Sequence, residues 1–475
     1  MTTTDAPAPS GAYAGRRWPV TAWGLWDWGS AAFNAVITTF VFTVYLTAED
    51  DAGDPLFGSG VDTKLGWALA AAGLTIAVLA PLTGQRADRS GRRTFWLAVH
   101  TGVVIVASAL MFFVTPEPNM LWLGLLLLAV GNVFFELASV NYNAMLKDIS
   151  TPATVGRISG LGWGLGYLGG IVLLLFVYFG FINPEVGLFG VTGDDGLDVR
   201  VTMIACAIWT AIFSLPVILA IRDAPRGASE RVAGPKHGIV ASYRHLFATV
   251  ADLWRTDRNT VYFLGASAVF RDGLAGVFTF GAVLAAGSFG FTDGGVIIFG
   301  VAANVVAGVA TILFGLLDDR IGPKRVIVGS LTAMCVAGVV LFVLHDGGST
   351  VFWIFGLVLC IFVGPAQSAS RSLLARLIPE GREGQVFGLY ATTGRAASFL
   401  APTAWALALT IAAGVTGRPS DEVQYAGILG ILLVLLAGLL LLLPVKAPRP
   451  GHPRPAVEPT DGPPAAEPPA GGSAV

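Results

Sequence analysis

Twelve stretches of this chain are apolar over enough residues to cross a lipid bilayer as helices, and a chain built this way has few folds open to it. A crossing helix needs about 20 apolar residues, since each residue advances it by about 1.5 Å. The stretches fall at roughly 20–46, 65–83, 94–114, 119–143, 157–182, 200–221, 259–288, 294–316, 326–344, 350–372, 384–414 and 424–445. They are long and show no sustained alternation, which predicts helices rather than the strands of a barrel. Only 13% of the residues are charged, about half of what a soluble domain needs to cover its surface. Lipid is therefore the expected solvent. A net charge of −2 gives nucleic acid nothing to bind. Cys206, Cys335 and Cys360 lie inside apolar stretches and read as small core residues, with neither a disulfide nor a metal site expected. The leading MTTTDAPAPSGAYAGRR lacks the order of a cleavable signal peptide.

The connections alternate in charge. GQRADRSGRR, KDISTPATVGR, the segment from Arg222 to Arg258, DDRIGPKR and RLIPEGRE are basic. AEDDAGDPLFGSGVD, PEPN, INPEVGLFGVTGDDGLD, FTDGG and RPSDE are acidic. The positive-inside rule puts the basic set and both termini in the cytoplasm, as expected of a multi-pass protein of the cell membrane. The expected parts are an N-terminal tail (1–19), a six-helix bundle (20–221), a cytoplasmic linker (222–258), a second six-helix bundle (259–445) and a disordered Pro-rich tail (446–475). In the linker, Tyr243, Leu246, Phe247, Val250, Leu253 and Trp254 fall on one helical face, which predicts an amphipathic helix.

The two bundles repeat one another. In the connection after the second span, Gly84, Asp88, Arg89, Gly91 and Arg93 match Gly315, Asp319, Arg320, Gly322 and Lys324 after the eighth, in order and spacing. PATVGRISGL before the fifth span weakly matches PEGREGQVFGL before the eleventh. Glycine permits close approach of helix ends, and aspartate accepts hydrogen bonds from free N–H groups at a neighbouring helix start. Such a cluster can latch two helix ends in one conformation and release them in another.

This pattern resembles the signature loop of the major facilitator superfamily, G-x-x-x-D-R-x-G-R-R. It departs at Arg86, where that family usually has an aliphatic residue, and fits at Leu317. WDWGSAAFNAVITTFVFTVYL and GRISGLGWGLGYLGG further resemble the branch of vacuolar amino-acid effluxers and their bacterial relatives. The resemblance implies an all-α membrane protein of two pseudo-symmetric six-helix bundles and secondary transport by alternating access. Gly162, Gly166 and Gly170 share one face of the fifth helix. They read as packing glycines, because Tyr167 stands where the superfamily's antiporters carry proline.

A charge at the centre of a bilayer helix costs about 2.5–3.5 kcal/mol on insertion scales, so such residues face the bundle interior and find partners. Asp27, Glu136, Arg271, Asp272 and Arg395 lie well inside spans. Asn34 shares a helical face with Asp27, and Asn143 shares one with Glu136; Asn304 lies on the eighth span. In the resembled fold, helices 1, 4, 7 and 10 line the cavity. WDWGSAA aligns with FRDGLAG, so Asp27 is expected to face Arg271 across the pseudo-twofold. Two readings stay open: a fixed ion pair, or one that opens when a zwitterionic solute offers its own charges. Glu136 is the preferred protonation site, unless Arg395 pairs with it tightly.

No Gly-rich phosphate loop, metal-ligand cluster or nucleophile–base pairing is present, so neither an enzyme nor an ATP-driven pump is expected. The expected function is movement of a small organic solute, with amino acids or similar compounds leading, as an effluxer and with proton coupling, by a monomer needing no cofactor. The competing reading is a receptor or scaffold that kept the fold and lost transport.

Overall fold

The computed structural model describes residues 12–49, 53–223, 248, 251–378, 381–419 and 422–448. Among these, twelve helices are long and apolar enough to cross a membrane. They are α1 (Arg17–Leu46), α2 (Val61–Ser90), α3 (Arg93–Phe113), α4 (Pro118–Ile149), α5 (Val155–Ile182), α6 (Asp194–Ala220), α7 (Arg258–Phe289), α8 (Gly294–Ile321), α9 (Pro323–Val343), α10 (His345–Leu377), α11 (Glu383–Thr416) and α12 (Gln424–Leu442). Of the expected linker helix, Ala248 and residues 251–256 are helical, with Leu253 buried and Trp254 exposed. The rest of that helix, the first eleven residues and the tail beyond 448 lie outside the described residues.

The helices outrun their apolar stretches. Read from hydropathy, the repeated motif is a loop; in the structure Gly84–Ser90 are the last turns of α2, and Gly315–Ile321 those of α8. Hydropathy reports where lipid ends, and the backbone hydrogen bonds carry the helix beyond it. The motif glycines do the stopping: Gly91 and Gly322 take φ of 60° and 94°, where an L side chain is strained.

The two most extensive helix–helix contacts both cross between the halves: α5 on α8, and α2 on α11. Each pair repeats the other, since α8 corresponds to α2 and α11 to α5. Several helices depart from regular winding, α5 by a π-wound end at Tyr178–Ile182. Ala32–Val41 of α1 is wound as a π-helix. In α11 the helix stops at Ala397 and restarts at Leu400. Irregular backbone at membrane depth is tolerated where it is buried in protein or lines a cavity.

Candidate functional site

The site descends in tiers from the end that carries the basic connections. At that end, both motif aspartates reach across the halves to cap a helix. The Asp88 carboxylate accepts from Gly384 N (2.9 Å) and Gln385 N (2.8 Å) at the start of α11. The Asp319 carboxylate accepts from Gly156 N (2.8 Å) and Arg157 N (3.1 Å) at the start of α5. A helix start presents unpaired N–H groups and a partial positive charge, both of which a carboxylate satisfies. The helices come so close that a side chain at Gly84 would overlap the Gly384 carbonyl.

The other motif residues do not repeat so well. Arg93 pairs with Asp88 (2.8 Å), Asp148 (3.2 Å) and Glu383 (2.7 Å). Its sequence counterpart Lys324 instead donates to the Leu443 carbonyl at the end of α12 (2.6 Å). The cation beside Asp319 comes from Arg376 of α10, which also holds Asp318. Arg89 and Arg320 form no ion pair among the described residues, and Arg320 is exposed.

One tier inward lies a cluster that the sequence reading assembled wrongly. Asp27 does not meet Arg271. Its carboxylate accepts from Tyr142 Oη (2.8 Å) and from Arg371 Nη1 (3.4 Å). Arg371 also donates to Ser159 Oγ (2.9 Å), the Ser159 carbonyl (2.6 Å) and Asn143 Oδ1 (3.1 Å). A C-half arginine is thus saturated by acceptors from α1, α4 and α5, and only 4% of its side chain is exposed. The pseudo-symmetry argument fails because it aligns positions along helices without fixing which face each presents. Arg371 escaped notice at the very end of its apolar stretch; the small residues of SASRS around it were the usable signal. Trp23 and Trp26 stack on the two sides of Tyr142, at 4.2 and 4.3 Å between centroids, which fixes its hydroxyl on Asp27. Gly162 makes room for the pair, since a side chain there would meet Asp27, Trp23 and Arg371. Gly166 and Gly170 lie against α1, and a second set, Gly156, Gly160 and Gly164, lies against α8.

In the middle tier, Glu136 of α4 pairs with Arg395 of α11 at 2.6 Å across the halves. This is the tight pairing under which Glu136 is not the preferred protonation site. Asp272 is buried and its carboxylate accepts from Ala401 N (2.5 Å), capping the second segment of α11. Arg271 donates to the Tyr390 carbonyl (3.0 Å) and lies 3.7 Å above the Tyr390 ring.

Beyond this tier, toward the acidic connections, the interior opens. A cleft of about 110 Å³ is lined by Phe40, Phe278, Ala282, Phe299, Asn304 and Phe352, among others. Asn304 donates to the Gly300 carbonyl (2.8 Å), and Asn34 is exposed on the π-wound part of α1.

The profile of proteins described as "Vacuole effluxer Atg22 like" matches residues 68–449, most of the chain. The chain belongs to the Atg22-like family. Among its relatives is an uncharacterized MFS-type transporter, YxiO, of Bacillus subtilis, 25% identical over 89% of this chain and 93% of its own. Autophagy-related protein 22 of Yarrowia lipolytica is 25% identical over 68% of this chain, which spans only 56% of that fungal protein. Solved structures share the fold at low identity. A bacterial homologue of the iron transporter ferroportin in an outward-facing state has a TM-score of 0.63 at 13% identity, covering 90% of this chain and 98% of its own. The proton:xylose symporter XylE also scores 0.63 at 13% identity, covering 88% and 93%. The architecture is therefore that of the major facilitators, and this Atg22-like chain is a multi-pass membrane protein.

Proposed function

We propose that this Atg22-like protein is a secondary transporter that moves a small organic solute out of the cytoplasm by alternating access. The observation that carries the reading is a closure made twice over at one end of a cavity that is open at the other. Asp88 and Asp319 cap α11 and α5 across the halves, and behind them the Asp27–Arg371 cluster seals the floor. Every one of these contacts crosses between the halves, so all of them part if the halves rock. The basic-loop rule makes the closed end cytoplasmic, and the conformation outward-facing. The chain works as a monomer in the cell membrane.

Asp27 replaces Glu136 as the proposed proton carrier. Its arginine lies 3.4 Å away, whereas Glu136 is held at 2.6 Å. Protonation of Asp27 weakens the floor and couples its opening to a proton. Export suits the family's description as effluxers, and amino acids are the first solutes to test.

The test is counterflow in liposomes, with solutes chosen by thermal shift on the purified protein. Transport should follow an imposed pH gradient, and Asp27→Asn should keep counterflow while losing its response to the gradient. Solutes that bind but never cross would overturn the transport reading and favour a receptor.

A further inference from the structure

Among the described residues, six charged side chains lie deep in the helices around the cavity: Asp27, Glu136, Arg271, Asp272, Arg371 and Arg395. Asp27 is paired with Arg371, and Glu136 with Arg395. Asp272 is occupied by the backbone of α11, where a helix start supplies the positive partner. Arg271 is left over. Among the described residues it has no acid at ion-pair distance and uses a single donor, on the Tyr390 carbonyl, of the five that a guanidinium carries. Arg371 shows what a structural arginine looks like in this protein, with acceptors on Asp27, Asn143 and Ser159 around its guanidinium.

The seat of Arg271 is nevertheless built. Its guanidinium carbon lies 3.7 Å over the Tyr390 ring, whose hydroxyl is hydrogen-bonded to the buried Ser370 at 2.8 Å. Gly394 borders it, and a Cβ there would stand 3.1–3.3 Å from the guanidinium atoms. A fixed cation without a counter-ion in a low-dielectric cavity is costly unless an anion arrives to meet it. Along α7, Arg271, Ala275, Phe278 and Ala282 share one face by their spacing. Ala275 is exposed, and Phe278 and Ala282 line the apolar cleft. Seven residues of helix place Phe278 about 10 Å beyond Arg271.

We infer that Arg271 receives the anionic group of the solute. The site takes an amphipathic organic acid, with its carboxylate or sulfonate on the guanidinium and an apolar body of about 10 Å lying along α7 toward Phe278, Phe299 and Phe352. This rests on the transport reading, and narrows its solute from amino acids at large to acids with an extended apolar body.

Three matched probes test it on the full chain in nanodiscs: 4-phenylbutyrate, its neutral amide 4-phenylbutyramide, and 4-phenylbutylamine. The acid should bind roughly tenfold or more tightly than the amide, as a charge-assisted hydrogen bond in a dry site allows, and the amine most weakly. Arg271→Gln should bring the acid to the level of the amide and leave the amide unchanged. Should that variant fail to fold, the wild-type comparison still stands. Gly394→Ala, which pushes the guanidinium off its seat, should then weaken the acid alone. Equal binding of acid and amide, or an acid preference that survives Arg271→Gln, would overturn the inference. Counterflow separates the two proposals. Acids that bind in this pattern while no solute crosses would sink transport and keep the subsite. Other solutes that cross while the acids show no preference would do the reverse.

Discussion

The two motif latches perform the same capping with differently wired charges. On the α2–α11 side, Arg93 and Lys147 belong to the first half and both reach Glu383 of the second, at 2.7 and 3.1 Å. On the α8–α5 side, Arg376 holds Asp318 and Asp319 at 2.5 and 3.2 Å, and all three belong to the second half. Among the described residues, the only ion pair across that latch is Arg157–Asp319, at 4.0 Å with 55% of the arginine side chain exposed. One latch therefore uses its ion pairs to join the halves, and the other uses them to join α8 to α10 within a half. A repeated motif conserves the cap geometry and leaves the origin of the counter-charge free.

The largest effect that would test this contrast is on folding. Arg376→Ala leaves Asp318 uncompensated, with 2% of its side chain exposed, which costs about 3–5 kcal/mol. Thermal melting should show the loss, and Asp318→Asn in the same chain should restore most of it. Arg93→Ala should cost the fold less, because Asp148 is 36% exposed, Lys147 remains on Glu383, and Asp88, only 6% exposed, keeps its two backbone N–H donors. Equal melting losses would erase the distinction.

Next comes the balance between conformers. Glu383→Gln removes both ion pairs across the α2–α11 latch and should shift the gate toward the open form by about 1–3 kcal/mol. Spin-label distances between the basic ends of α2 and α11 would report it. A distribution unchanged from wild type would break the assignment of that latch to inter-half closure.

Asp88→Asn and Asp319→Asn sharpen the comparison. Each keeps a capping oxygen, so the cap itself should lose no more than about 1 kcal/mol. Asp88→Asn also loosens Arg93, whose pair with Glu383 joins the halves, and should open the gate further than Asp319→Asn. The reverse order would mean that the caps, and not the ion pairs, carry the asymmetry.

The smallest effect belongs to the exposed arginine. Arg157→Gln should change both melting and conformer distribution by less than about 0.5 kcal/mol, as expected of a solvated pair. A larger shift would show that the α8–α5 latch is electrostatic after all.

The fold was legible because hydropathy and loop charge are properties of single segments, and lipid imposes them locally. Twelve spans and the paired motif needed no knowledge of which helix touches which. The site was less legible, for the opposite reason. Asp27 could be recognised as a residue in need of a partner, but the partner depended on helix faces that no local pattern records. Arg371 lay at an apparent span end because α10 runs on to Leu377. Lys324 looked equivalent to Arg93 by spacing, yet α12 supplied it with a free carbonyl end. Asp272 read as a cavity charge although Pro402, in the first turn after the break in α11 at Ser398–Phe399, was the available sign of a new helix start.

The aromatic sandwich around Tyr142 has an optical consequence. Trp23 and Trp26 flank the ring whose hydroxyl holds Asp27, and the Arg371 guanidinium lies 4.8 Å over Trp23 and 5.6 Å over Trp163. Indole emission responds to nearby charge and to stacking. When Arg371 withdraws with its half of the molecule, two indoles lose a cation, while Trp23, Trp26, Tyr142 and Asp27 stay together in the first half. The floor of the cavity thus carries its own fluorophores, and opening it changes the light they emit without any label being attached.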